Sequence, residues 1–255
     1  MDSIAVISDV HGNRWALEAV LADMESLGIS EVVNLGDVFY GPLDPVGTAD
    51  LILDRSIPTV RGNEDRIIVD GDAPLSSTLG FVRAQLSGQH LEWLENLTGS
   101  LSMGSAFAFH GSPRSDVEYL LWTVGESGAH RRGTEEVKRI LGKIEASLVL
   151  CGHDHVPGAR VLEDGTVVVD PGSVGLPAYR DDVPHPHLME AGSPHARYSV
   201  VSPSPSGFTV SDRAVSYDWQ AAAETAERNG RPDWATWLRT GRANPLPEPN
   251  GHIGM

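Results

Sequence analysis

The chain has 255 residues, 40% of them hydrophobic, with 19 Lys plus Arg against 35 Asp plus Glu and a formal net charge of −16. That length suits one α/β domain with a large core, and the negative surface repels phosphate backbones, which argues against a nucleic-acid scaffold. Cys151 stands alone, so no internal disulfide and no cysteine-based zinc site can form, and the start MDSIAVISDV matches neither a secretory signal nor a membrane span.

A cytoplasmic protein is therefore expected, with any metal resting on His, Asp and Asn. The β-branched run SIAVIS (3–8) reads as a strand, and NRWALEAVLADMESLG (13–28), apolar at helical spacing with Gly28 as a stop, as a helix. EVVNLG (31–36) reads as a second strand, 44–56 as a second helix and IPTVRG (57–62) as a third strand, an order that gives a parallel sheet with right-handed crossovers. Residues 74–97 read as helical, SAFAFHG (105–111) as a strand, 133–146 as a helix and SLVLCGHDH (147–155) as another strand. Next, GARVLEDGTVVVDPG (158–172) makes two extended runs around Asp164-Gly165, a hairpin signal, and ARYSVVS pairs with FTVSDRAV around 203–207. Two sheets face to face with helices outside are the natural packing. Two helices then fill 214–242, and a Pro/Gly-rich tail covers 246–255, so a single domain is expected over 1–245 with its core at 3–213.

The polar residues at strand ends form a pattern. Asp9 and His11 follow the first strand, Asp37 the second, Asn63 the third, His110 the fourth, and His153 with His155 the fifth. Strand carboxyl ends in an open parallel sheet share one rim, and residues two apart in extended chain point the same way, so these seven side chains can converge. Glycines 36, 62, 111 and 152 let the backbone turn tightly beside so crowded a site. Nitrogen and oxygen donors without thiolate suit Mn, Fe, Zn, Ni or Co, and a carboxylate such as Asp37 can bridge two ions. Two cations about 3.5–4 Å apart clamp the oxygens entering and leaving phosphorus, which is hydrolase machinery. Asn63 would bind a cation without adding negative charge.

The ordered set DVH (9–11), GDVF (36–39), GNED (62–65), HG (110–111) and GHDH (152–155), followed by DPGSVGLP (170–177), resembles the calcineurin-like metallophosphoesterase superfamily, most closely its small prokaryotic phosphodiesterase branch. The resemblance covers roughly 3–213. It implies a four-layer α/β/β/α sandwich, here with a C-terminal helical extension, and two divalent metals at the sheet rim. By that similarity Asp9, His11 and His155 hold one ion, Asn63, His110 and His153 the other, and Asp37 bridges them. A metal-bridging hydroxide then attacks phosphorus in line. Glu64 departs from the pattern, since many members carry there a histidine proposed to help protonate the leaving group. A carboxylate beside two cations is biased toward ionisation, so slow turnover of poor alkoxide leaving groups is expected, with aryl or nucleotide-like groups preferred.

A small phosphoester substrate follows, with no stable nucleic-acid or membrane partner. The motifs alone also allow a phosphomonoesterase or protein phosphatase, a dinucleoside polyphosphate hydrolase, or a metal-filled interaction scaffold. Outside the motifs, Asp154 and Asp170 serve either to orient ligand imidazoles or as turn residues, and Asp65 is expected to pair with Arg61 or Arg66. Residues 181–197 read as a long loop whose His185, His187 and His195 are either a flap-borne acid or inert. Tyr119 and Trp122 are either a substrate wall or helix core, Arg66 and Arg180 either phosphate binders or surface ion pairs, and Trp219, Trp234 and Trp237 pack the terminal helices onto the core or onto a second subunit.

Overall fold

The structure, a computed structural model, describes residues 2–71 and 77–243. Strand β1 (Ile4–Ile7) is buried on both faces. Its period-two alternation sends Ala5 and Ile7 into one apolar cluster and Ile4 and Val6 into another. Helix α1 (Arg14–Ser26) starts at Asn13, whose side chain accepts from Ala16 N, and buries Leu17, Val20 and Leu21. Strand β2 (Glu31–Asn34) runs parallel to β1. Helix α2 (Pro45–Asp54) is capped by Asp44 and begins with proline.

Here the sequence reading needs correction. The third strand expected at 57–62 is reduced to two isolated bridges, Asn34 with Thr59 and Val60 with Thr98. Pro58 offers no N–H to a ladder, which shortens the pairing. Asn63 opens an unexpected helix, α3 (Asn63–Asp70), with Glu64 and Asp65 in its first turn, where carboxylates favour the positive end of the helix. The helical region farther on divides into α4 (Ser77–Gln85) and α5 (Gly88–Glu95), the latter capped by Ser87.

Strands β3 (Ser100–Met103) and β4 (Ala106–Phe109) form a hairpin. No helix follows His110; instead β5 (Trp122–Gly125) and β6 (Gly128–Arg131) make a short hairpin. Helix α6 (Thr134–Leu141) stops at Gly142, whose φ of 64° suits glycine, short of residue 146. Strand β7 (Leu148–Leu150) precedes the expected hairpin of β8 (Gly158–Val161) and β9 (Val167–Asp170). Within the stretch read as a long loop, 181–197, a strand appears: β10 (Ala178–Asp181) pairs with β11 (His187–Glu190), leaving 182–186 and 191–195 as connections. Strands β12 (Ala196–Ser204) and β13 (Gly207–Val215) pair as expected, and α7 (Trp219–Arg228) and α8 (Pro232–Thr240) follow. The tail at 246–255 lies outside the described residues.

Two sheets carry the fold, ordered β13-β12-β1-β2 and β3-β4-β7-β9-β8. Val6, Leu35, Ala108, Leu150 and Val169 meet in one cluster drawn from both. The other side of the first sheet packs on α1, α2 and α5 through Leu17, Ile52 and Leu94, and the second sheet packs on α6 through Phe109, Val149 and Val168. Each buried Val, Leu, Ile or Phe side chain among these stabilises the fold by about 1.5–3 kcal/mol on burial. That core holds still the loops leaving β1, β2, β4 and β7, which all emerge on one rim. Among the described residues no helix is long and apolar enough to cross a membrane.

Candidate metal centre

Five of the seven rim residues hold a backbone conformation that side chains rarely tolerate. Asp9, His11, Asp37, His153 and His155 have φ of 55°, 52°, 56°, 76° and 62°. Ser56 is the only other non-glycine residue with positive φ among those described. Left-handed backbone costs about 1–3 kcal/mol per residue unless its surroundings enforce it, and clusters of it mark functional sites. The enforcement is visible: Asp9 N, His11 N and Gly12 N donate to Gly36 O, Asp37 O and Val38 O, zipping the loop after β1 to the loop after β2. Asp65 pins the same loop to α3 by accepting from Asp37 N, Val38 N and Gly62 N. Asp65 is therefore a backbone clasp, not a partner of Arg61 or Arg66; Arg66 pairs with Asp116 at 2.6 Å.

Gly62 allows the closest approach. A Cβ there would lie 2.6 Å from Asp37 N and nearer still to Asp37 Oδ1. Asn63, next in the chain, is buried at the first turn of α3 and sends Oδ1 to within 3.1 Å of His110 Nε2.

All seven side chains meet. The donor atoms of Asp9, His11 and His155 lie within 4.8 Å of one another, as do those of Asp37, His110 and His153. The imidazole tautomers are set from behind: His11, His110 and His155 donate Nδ1–H to Tyr40 O, Leu35 O and Leu176 O at 2.9, 2.7 and 2.7 Å. A carbonyl can only accept, so each Nε2 is left to face the site. His11 Nε2 and His155 Nε2 are 3.1 Å apart, and His155 Nε2 is 3.4 Å from Asp9 Oδ1, a fully buried oxygen with no hydrogen-bond partner. Lone pairs facing at that distance repel unless a cation lies between them. Ligands each about 2.0–2.2 Å from a cation would stand about 3 Å apart, so the residues present fit divalent ions, and the N/O donor set fits Mn, Fe, Zn, Ni or Co.

Without a cation the two halves of the site hold protons differently. Burial, helped by the neighbouring His155, pulls the His11 pKa down to about 4. Burial and nearby His110 do the same to His153, also to about 4. Burial opposes charge on His110 as well, but Asp37, 3.3 Å away, outweighs it and lifts the pKa to about 10. Asp9 and Asp37 stay ionised against burial because the histidines around them favour the carboxylate. Burial pushes Glu64 well above the usual carboxylate range and Asp65 up to about 6, with Asp37 adding to both.

Glu64 lines the cleft over these groups, a space of about 270 Å³ bounded also by Tyr40, Tyr119, Tyr179, Arg180, Arg231, Trp234 and Trp237. Tyr119 thus belongs to the wall, stacked on His153 at 4.8 Å, whereas Trp122 packs with the apolar cluster under the second sheet. His185, His187 and His195 do not line the cleft, and His187 is buried with Nε2 2.9 Å from Tyr119 Oη. Asp154 and Asp170 bind no imidazole; each caps a turn by accepting from Val156 N or Gly172 N. Cys151 is a buried apolar filler. The C-terminal helix was not expected in the site, yet Trp234 stands edge-on to His11 at 5.8 Å. The Trp-x-x-Trp spacing on the terminal helix was the available signal.

Comparison with known proteins follows the same lines. A family model described as the calcineurin-like phosphoesterase superfamily domain matches residues 3–189. An uncharacterised protein of Methanocaldococcus jannaschii is 27% identical over 258 residues, covering 91% of this chain and 94% of that protein. The crystal structure of a metallophosphoesterase from Sphaerobacter thermophilus aligns with TM-score 0.73 and 25% identity over 94% of this chain and 99% of that one. That of a hypothetical protein from Pyrococcus horikoshii gives TM-score 0.72 and 21% identity over 94% and 99%.

Proposed function

This chain belongs to the calcineurin-like phosphoesterase superfamily, and from that premise we propose that it hydrolyses small phosphodiesters with the help of two divalent cations. Asp9, His11 and His155 would hold one ion and Asn63, His110 and His153 the other, with Asp37 able to serve either. When bound, such ions supply Lewis acidity toward water and toward phosphoryl oxygens. The protein's own part is to place the donors in advance: backbone carbonyls fix the tautomers of His11, His110 and His155, the zipped loops after β1 and β2 carry the two aspartates, and Asp65 holds α3 so that Asn63 presents its carbonyl oxygen.

One observation carries this reading, the 3.1 Å approach of His11 Nε2 to His155 Nε2 beside the unpartnered Asp9 Oδ1. Protein interiors do not bury facing acceptors without a cation or proton to reconcile them. The small cleft favours a compact diester over a dinucleoside polyphosphate, since about 270 Å³ is at the lower end of ligand sites. Glu64 takes the place from which a leaving group would be protonated. Two cations would draw its carboxyl toward ionisation, so esters whose leaving groups need no proton are the better substrates.

The test is turnover by metal-stripped protein reloaded with Mn, Zn, Ni, Co or Fe in turn, on bis(p-nitrophenyl) phosphate and on p-nitrophenyl phosphate. Cation-dependent hydrolysis with the diester ahead is expected. Two bound cations with no hydrolysis of either ester would replace the enzyme with a metal-filled scaffold.

A further inference from the structure

The terminal helices add a wall to the cleft that the strand-end motifs do not supply. Helix α8 packs against β10 and, with α7, encloses an apolar cluster of Leu43, Leu176, Ala222, Ala226, Ala235 and Leu238. Trp234 is 4% exposed and fills the gap between that cluster and His11. Trp237, one turn farther along the helix, is only partly buried, lies 6.3 Å from Trp234 between ring centroids, and lines the cleft. An indole left half in solvent beside a reaction centre, and rigidly backed by a second indole, is a flat apolar surface of the kind on which rings stack.

The charges nearby narrow the ligand further. Arg231 lines the cleft, but its guanidinium is committed to Asp233 at 2.7 and 2.9 Å and to Thr78. Arg180, on β10, has only a 3.4 Å contact with Asp182 and is one-third exposed. Among the described residues, Arg180 is thus the one uncommitted cation beside the aromatic surface, while Asp181 and Glu64 on the same walls oppose additional negative charge. A ligand with one ring and one phosphate fits; a polyphosphate does not.

We propose that Trp237, backed by Trp234, forms a stacking subsite for the ring-bearing ester group of the substrate, with Arg180 toward its phosphate, and that the substrate class is accordingly a nucleoside-type phosphodiester of mononucleotide size. This rests on the phosphodiesterase reading above and assigns its specificity to the C-terminal helix. Stacking on one aromatic side chain is worth about 1–3 kcal/mol, so its loss lowers kcat/KM about 5- to 150-fold.

The test compares two diesters with the same leaving group, the p-nitrophenyl ester of thymidine 5′-phosphate and methyl p-nitrophenyl phosphate, alongside calorimetric binding of thymidine 5′-phosphate and of methyl phosphate. Trp237→Leu keeps apolar packing without the ring, and Trp237→Phe restores a ring. The expected result is a loss of about fivefold or more for Trp237→Leu on the thymidine ester, within about twofold of wild type on the methyl ester, with most of the preference kept by Trp237→Phe. Equal losses on both esters would make Trp237 a packing residue only, and no loss on either would place the ring elsewhere; both overturn the subsite. If the wild type hydrolyses neither ester but binds thymidine 5′-phosphate more tightly than methyl phosphate in a Trp237-dependent manner, the subsite stands and the diesterase reading falls. If both esters turn over alike and both phosphates bind alike, the diesterase reading stands and the subsite falls.

Discussion

The two halves of the candidate metal centre use similar side chains in different electrostatic states. Asp9, His11 and His155 make a half whose neutral His11 and ionised Asp9 are already in the protonation state a cation needs. In the other half, Asp37 holds a proton on His110, which bridges the space between Asp37 and Asn63 as a donor. The first half is left with facing acceptors, and the second is reconciled internally by a proton. The lesson is that a cation entering the first half relieves repulsion, whereas one entering the second must displace a favourable hydrogen-bonded pair. The halves also lean on different supports. The first is backed by the C-terminal helix through Trp234, and the second by Gly62 and the start of α3.

The most damaging way to separate them is Gly62→Ala. Gly62 has φ −85°, so its backbone accepts alanine, and the harm is steric: the new methyl collides with the Asp37 main chain and carboxylate. Displacing a reacting group by about 1 Å costs about 10²-fold in rate, so kcat should fall by that factor. Second-half cation affinity should drop about 10–100-fold, the range seen when ligand supports are altered, and first-half affinity, which reaches Asp37 less directly, should drop by clearly less. Two-step calorimetric titration reads both affinities. Equal weakening of both would mean the halves are one mechanical unit.

The rim was legible from sequence because six of the seven candidate ligands follow a strand by one to five residues, where a short motif and its position in the chain carry the information, while Asn63 opens α3 instead. Asp9 and His11, or His153 and His155, need only local geometry. What escaped was set by tertiary contact. The turn residues Pro184, Pro186 and Gly192 hid two four-residue strands, and β10 exists only because β11 pairs with it. The start of α3 carries its own signal, Glu64 and Asp65 in the first turn, but it follows directly on the extended run IPTVRG, whose β-branched residues favour a strand. Trp234 and Trp237 looked like ordinary helix packing, and only the docking of α8 on β10 turns that helix into a wall of the cleft.

Proton competition gives the second separation. His110 rises from about 6.5 in an unfolded chain to about 10 in the metal-free fold. Its contribution to stability is then complete below pH 6.5 and is lost as pH climbs through 10. Each cation binding the second half expels that proton, so affinity there should increase about tenfold per pH unit between about 6.5 and 10. With His11 pulled down to about 4, the first half should bind with little pH dependence above neutrality. Chelator competition at pH 6.5, 7.5 and 8.5 reads the slopes. Matching slopes would erase the contrast between the halves.

The smallest effect concerns Glu64, beside the second half, whose backbone N–H donates to Asp37 Oδ1 at 2.9 Å while its carboxyl lines the cleft. Glu64→His exchanges an acceptor that cations bias toward ionisation for a group able to carry a proton near neutral pH. A well-placed general acid contributes about 10²–10⁴-fold, and an introduced one less, so about tenfold on alkyl esters is expected. Nitrophenolate leaves without a proton, so nitrophenyl esters should change less than about twofold by the same logic. Because the substitution leaves the backbone bond to Asp37 in place, cation affinity in both halves should stay as it was. A gain of equal size on both ester classes would show that the histidine acts by repositioning phosphate or cations rather than by donating a proton. In that case the scarcity of acid at this position would not be what limits the enzyme on alkyl substrates.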